Sequence, residues 1–203
     1  MSGTSCLYDD GEEKWPLKLH LGCGGVYLGG YANCDLDGTL VAYGNTSAVS
    51  CNLTTVQDYY ARLEGDLDHL PQRRLTVVDV QMDITRLLYT PHTVDKILCL
   101  QVFEHLTPVT ALKTLVMWSS VLKRGRPLVM SVPDMDGTLD MLESNWRFAL
   151  RHLRGRGGDK ANSHHAWYTR PSLQELLEFA GFGVTWLPNI HIYPALVVRA
   201  VKL

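Results

Sequence analysis

Cysteine pairs, a surplus of one charge and long apolar runs are all missing from this chain. Its five cysteines (Cys6, Cys23, Cys34, Cys51 and Cys99) are odd in number and scattered, with no CxxC pair. That pattern gives neither a disulfide framework nor metal-ligand spacing, so free thiols and no bound metal are expected. Lys and Arg number 19 against 21 Asp and Glu, a formal net charge of −2. A protein built to neutralise a phosphate backbone carries a basic excess, so the balance argues against nucleic acid as the partner. No apolar run approaches the roughly 18 residues of a membrane span. The first residues, Met1 to Lys14, hold Asp9, Asp10, Glu12 and Glu13 and no apolar centre, and do not read as a signal peptide. A mobile segment over 1–15 and a cytoplasmic location are expected.

What is present is an ordinary globular composition, 46% hydrophobic over 203 residues, which fits one domain spanning 1–203. Leu17 to Leu21 is a short apolar run ending in Gly22-Cys23-Gly24-Gly25, a strand entering a tight turn. Further strands are expected at Tyr31–Asp35, Leu75–Val80, Val94–Leu100, Leu128–Val132, Gly183–Leu187 and Ile192–Val201. Helical spacing marks Leu53–Leu63, a helix from Thr107-Pro108 to about Leu122, Leu139–Leu153, and a helix starting at Thr169-Arg170-Pro171 and ending at Gly181. Alternating strands and helices, with mostly apolar strands, indicate an α/β fold around a mainly parallel sheet.

In such sheets ligands bind beyond the carboxyl ends of the strands. Three glycines in four positions let the backbone approach a ligand closely; a strand ending in GxGG also fits a plain turn. Asp35 at the end of the second strand can accept the hydroxyl protons of a ribose. Asp83, in Met82-Asp83-Ile84 after the third, can accept an adenine amino group. Either aspartate alone also fits a strand-end cap, but three such features after three successive strands are hard to obtain by chance.

At this level the sequence resembles the class I S-adenosylmethionine-dependent methyltransferases of the small type 11 kind, from Lys18 to Gly183. LHLGCGG resembles the motif that wraps the methionine part of the cofactor, YANCDLD the strand ending in the ribose-binding acid, and VQMDI the adenine contact. VDKILCLQVFEHL, VLKRGRPLVMSVPD and HHAWYTRPSLQELLEFAGF resemble the family's later segments. The resemblance implies a Rossmann-like three-layer sandwich with a seven-stranded, mostly parallel sheet and an antiparallel C-terminal strand. It implies S-adenosylmethionine as cofactor, S-adenosylhomocysteine as product, and cofactor contacts from Leu21, Gly22, Cys23, Gly24, Gly25, Asp35, Leu36, Met82, Asp83, Ile84, Gln101, Val102 and His105.

Two departures stand out. Only Gly22 to Gly30 separate the first two strands, so the usual first helix is missing or reduced and an extended crossover is expected. Between Gly38 and Arg74 there is more chain than one helix needs, an insertion over 38–74. Methyl transfer is a direct displacement that demands in-line positioning, and an acceptor that loses a proton needs a base. His165, Asp134 and His164 are the candidates, in that order. The two histidines follow the Gly155–Ser163 stretch and precede Trp167 and Tyr168, on a segment that fits a lid. Asp134 follows Pro133 at the end of its strand. The expected reaction is O- or N-methylation of a small organic acceptor, by a monomer or homodimer. The alternatives are a tRNA or protein methyltransferase docking through the basic Arg147–Lys160 patch, and a cofactor-binding module that transfers nothing.

Overall fold

The computed structural model describes residues 16–40, 77–155, 163–191 and 193–203. The expected Leu53–Leu63 helix, nearly all of the 38–74 insertion and the 1–15 segment lie outside the described residues. Strands are β1 (Lys18–Leu21), β2 (Ala32–Asp35), β3 (Thr39–Leu40), β4 (Val77–Val78), β5 (Val80–Gln81), β6 (Lys96–Leu100), β7 (Pro127–Pro133), β8 (Phe182–Leu187) and β9 (Ala195–Lys202). Helices are α1 (Pro108–Val121), α2 (Met135–Asp140), α3 (Leu142–Arg154) and α4 (Arg170–Phe179), with a 3-10 turn at Phe103–His105.

Seven strands form one sheet in the order β5-β2-β1-β6-β7-β9-β8. Its pairs are parallel except those of β9, which runs antiparallel to both β7 and β8. The expected architecture therefore holds. One face of β1 and β6 presents Leu19, Leu21, Ile97 and Cys99 to the main core, which Leu115 and Trp118 of α1 and Leu173 and Leu177 of α4 complete. Each such side chain contributes about 1.5–3 kcal/mol by leaving water. Leu98 and Leu100 alternate to the opposite face.

That opposite face shows how the chain dispenses with a first helix. Residues 22–31 connect β1 to the parallel β2 without a helical turn, as expected, and Val26 and Leu28 cover Leu98 and Leu100 instead. Such a loop needs partners for its polar backbone. Asn33, fully buried in β2, supplies them: its Oδ1 accepts from Leu28 N at 2.9 Å, and its Nδ2 donates to Leu28 O at 3.0 Å and Tyr31 O at 3.1 Å.

Helix ends follow the local chemistry. Thr107 caps α1, its side chain accepting from Thr110 N, with Pro108 in the first turn. Thr169 and Ser172 form a reciprocal capping box at α4, and Gly181 takes φ +86° just beyond that helix. Two expectations need correction. The helix read across Leu139–Leu153 is two helices, α2 and α3, because the backbone breaks at Met141 and departs from helical geometry at Asn145 (φ −150°). The Leu75–Val80 strand is broken at Asp79 into β4 and β5. There the Asp79 carboxylate takes the Asn33 amide at 2.8 Å and Tyr27 Oη at 2.6 Å, so its polar side chain is held inside the sheet edge.

Candidate functional site

The strand order reverses beside β1: β2 and β5 lie on one side, β6 and β7 on the other. At such a switch point, beyond the carboxyl ends of the strands, α/β sheets bind their ligands. Gly22 ends β1 with φ +66°, and a Cβ built there would lie 2.4 Å from Val102 Cγ2 just past β6. Only glycine lets the two strand ends approach so closely. Gly24 has φ +53°, and a Cβ there would meet nothing within 4 Å, so the space beside the turn is open. Gln101, another residue at positive φ (+56°), donates from Nε2 to Ser131 Oγ at 3.2 Å.

Asp35 ends β2 and closes on the same turn. Its carboxylate accepts from Gly24 N at 2.7 Å and from Leu36 N at 2.8 Å. Asp83, beyond β5, accepts from Thr85 N at 2.8 Å and Thr85 Oγ1 at 2.7 Å. Its neighbour Ile84 is buried, and Ile84 O accepts from the Trp118 indole at 2.9 Å, so α1 fixes the Met82–Ile84 loop. Leu21 and Cys23 are buried at the base of the turn, while Gly25 and Leu36 are exposed. The three groups, glycine turn, Asp35 and Met82–Ile84, stand at the carboxyl ends of adjacent strands. Burial pushes the thiols of Cys23 and Cys34 up to about 12 and that of Cys99 well above its ordinary value. They are packing groups, not nucleophiles.

The turn after β6 forms a second group of polar residues. Glu104 is 1% exposed, and burial raises its carboxyl to about 8. Its backbone oxygen accepts from both His165 N at 2.9 Å and Ala166 N at 3.1 Å. His164 Nε2 stands 3.8 Å from Glu104 Oε1, and its ring meets the His105 ring edge-on at 4.9 Å between centroids. Burial, then the neighbouring His105 and His152, lowers His164 to about 4, so it is neutral at pH 7. His105 Nδ1 lies 2.9 Å from Ser163 O. Tyr168, its ring tilted against Phe103 at 5.7 Å between centroids, has its hydroxyl raised by burial and by Glu104.

The proton-handling candidates thus have three different environments. His164 is drawn into the Glu104 group. His165 is exposed, although its amide helps to lock that group. Asp134 ends β7 at the start of α2, its Oδ2 3.2 Å from where a Cβ on Gly137 would sit. The sequence reading missed three residues on this side. His152, His191 and Tyr193 form an aromatic wall, with Tyr193 stacked on His191 and edge-on to His152, each at 4.8 Å, and His191 Nε2 reaches Ser131 Oγ at 3.1 Å. Burial lowers both histidines to about 4. These residues lie in α3 and the β8–β9 connection, and carry no spacing signal that links them. Of the basic patch, Arg147 lies over the Trp146 ring at 5.4 Å, whereas Arg156 and Lys160 are outside the described residues.

A SAM-dependent methyltransferase from Methanosarcina mazei superposes with a TM-score of 0.53 at 16% identity, over 95% of this chain and 94% of that one. One from Archaeoglobus fulgidus gives 0.52 at 14% identity, over 93% and 87%. A Haloferax volcanii structure, a complex of a methyltransferase with its Trm112 activator, gives 0.52 at 15% identity, over 94% and 84%. The fold is that of the class I SAM-dependent methyltransferases. No family model matches the sequence, and no curated protein matches it. Within this methyltransferase fold the extended crossover that replaces the first helix, pinned by Asn33 and Asp79, is the local departure. Among the described residues no helix is long and apolar enough to cross a membrane.

Proposed function

We propose that the chain is a methyltransferase that binds S-adenosylmethionine at the Gly22–Gly25 turn and methylates a small organic acceptor on oxygen or nitrogen. The observation that carries this reading is the glycine turn tied to Asp35, beside the Trp118-anchored Met82–Ile84 loop, at the switch point of a methyltransferase sheet. When bound, the cofactor supplies an electrophilic methyl group on a sulfonium.

The open side of Gly24 fits such a ligand. Leu21, Gly22, Cys23, Gly24 and Gly25 are the wall for its methionine part. Asp35 and Leu36 hold the ribose, and Met82, Asp83 and Ile84 meet the adenine. Gln101, Val102 and His105, past the end of β6, contact the methyl-donor end of the cofactor. Asp134 heads the proton-handling candidates because it ends the next strand, half-buried; a carboxylate there can orient and deprotonate a hydroxyl or amine. His165 follows, since its imidazole is exposed. The aromatic wall of His152, His191 and Tyr193 favours an organic acceptor with a flat or apolar body.

Calorimetric titration with S-adenosylmethionine and S-adenosylhomocysteine tests the reading, alongside Asp35→Ala and Asp83→Ala. Micromolar binding of both compounds, weakened in both variants, is the expected result. Binding of NAD in place of either compound overturns it.

A further inference from the structure

We propose that Glu104, His105 and His164 form a binding site for one divalent transition-metal ion of the zinc type. Each residue offers one ligand atom, and the three atoms all lie within 4.8 Å of one another. A tetrahedral site with bonds of about 2.1 Å has edges of about 3.4 Å. The His164 Nε2 to Glu104 Oε1 separation, 3.8 Å, is within a few tenths of an ångström of that edge. Binding the ion would draw the three atoms in from separations of up to 4.8 Å.

Three further observations point the same way. Glu104 Oε2 is buried with no hydrogen-bond partner among the described residues. A carboxyl group at 1% exposure with an oxygen left unpaired is costly unless a cation or donor meets it. His105 Nδ1 contacts the Ser163 carbonyl, which can only accept. That nitrogen therefore carries the proton and the lone pair sits on Nε2, the arrangement that holds metal-binding imidazoles in place. Finally, the two segments that carry the set are clamped together, because Glu104 O takes the amides of His165 and Ala166 and His164 N donates to Arg154 O. The backbone that carries the three side chains is thus held in place.

Two imidazoles and a carboxylate suit zinc and its neighbours better than calcium or magnesium. Three protein ligands leave a fourth position for water or substrate. The use of that position rests on the methyl-transfer reading. There, an acceptor hydroxyl bound to the ion becomes more acidic and gives its proton to water. Its oxygen then forms the new O–C bond as the S–C bond of the cofactor breaks, the electron pair staying on sulfur. Metal binding itself does not depend on that reading.

The test uses the full chain, free of any polyhistidine tag, stripped with a chelator and titrated with Co²⁺. Visible d–d absorption that saturates at one equivalent and is bleached by Zn²⁺ is the expected result. Glu104→Gln and His164→Ala each weaken cobalt binding by at least about tenfold, while His92→Ala, at an exposed histidine, leaves it unchanged. If Glu104→Gln fails to fold by circular dichroism, His164→Ala decides. Absence of the bands at stoichiometric cobalt, or bands that persist in His164→Ala with unchanged affinity, overturns the proposal. Calorimetry with S-adenosylhomocysteine on the stripped protein reports on the methyl-transfer reading alone, so the two failures are distinguishable.

Discussion

The Asp35 carboxylate at the end of β2 accepts the backbone amide of Gly24 at 2.7 Å, so the residue proposed to hold the ribose also shapes the turn that faces the methionine part. Asp35→Ala is then expected to remove two effects at once. Affinity for S-adenosylhomocysteine should fall by more than about tenfold, or 1.4 kcal/mol. Asp35→Asn keeps one acceptor oxygen and should lose less. Calorimetry on both variants checks the order; equal losses would mean that the charge, not the bond to Gly24, is what matters.

Gly22 carries two constraints, a positive φ and a Val102 methyl in the way of any Cβ. Gly22→Ala should cost about 1–3 kcal/mol of stability and weaken cofactor binding by separating the ends of β1 and β6. Adding Val102→Ala should restore part of the stability, since it removes the two methyls nearest the new Cβ and leaves the tight contact with the residue-102 Cβ and the strained φ. Urea denaturation of the single and double variants measures the coupling.

Asn33 replaces the stabilisation that a first helix would give. Asn33→Ala deletes its bonds to Leu28, Tyr31 and Asp79 and leaves buried backbone groups unpaired. A loss of about 3 kcal/mol or more is expected, with faster amide exchange at Leu28 than in β6. Unchanged exchange at Leu28 would falsify this account of the crossover.

Asp95 gives the protein a definite acid limb. Burial opposes its ionisation, but Lys123 Nζ at 2.9 Å from both oxygens, the Leu17 amide and Arg126 outweigh that and hold its carboxyl below the ordinary 3.8. The folded state therefore binds the proton less readily than the unfolded one. The stabilisation is complete above pH 3.8 and is lost as pH falls through the lower folded value. Asp95→Asn should flatten the stability profile in that acid range, as read by denaturation midpoints between about pH 2 and 6.

Sequence alone determined the strand–helix alternation, the glycine turn and the helix caps. These rest on interactions within a few residues: apolar periodicity, the φ freedom of Gly22 and Gly24, and the reciprocal Thr169–Ser172 bonds. It also showed that too few residues separate β1 and β2 for a full helix. It misread the Leu139–Leu153 helix, whose apolar spacing runs on through the break at Met141. Tertiary structure decided the rest. Glu104, His105 and His164 come together only because the segment before α4 hydrogen-bonds the turn after β6, and His191 joins Ser131 only through the pairing of β9 with β7. Asn33 and Asp79 look like ordinary strand-end polar residues until the crossover folds over them. Contacts between residues distant in the chain carry no local spacing, so no periodicity records them; the packing of the sheet and the burial of unpaired polar atoms reveal them.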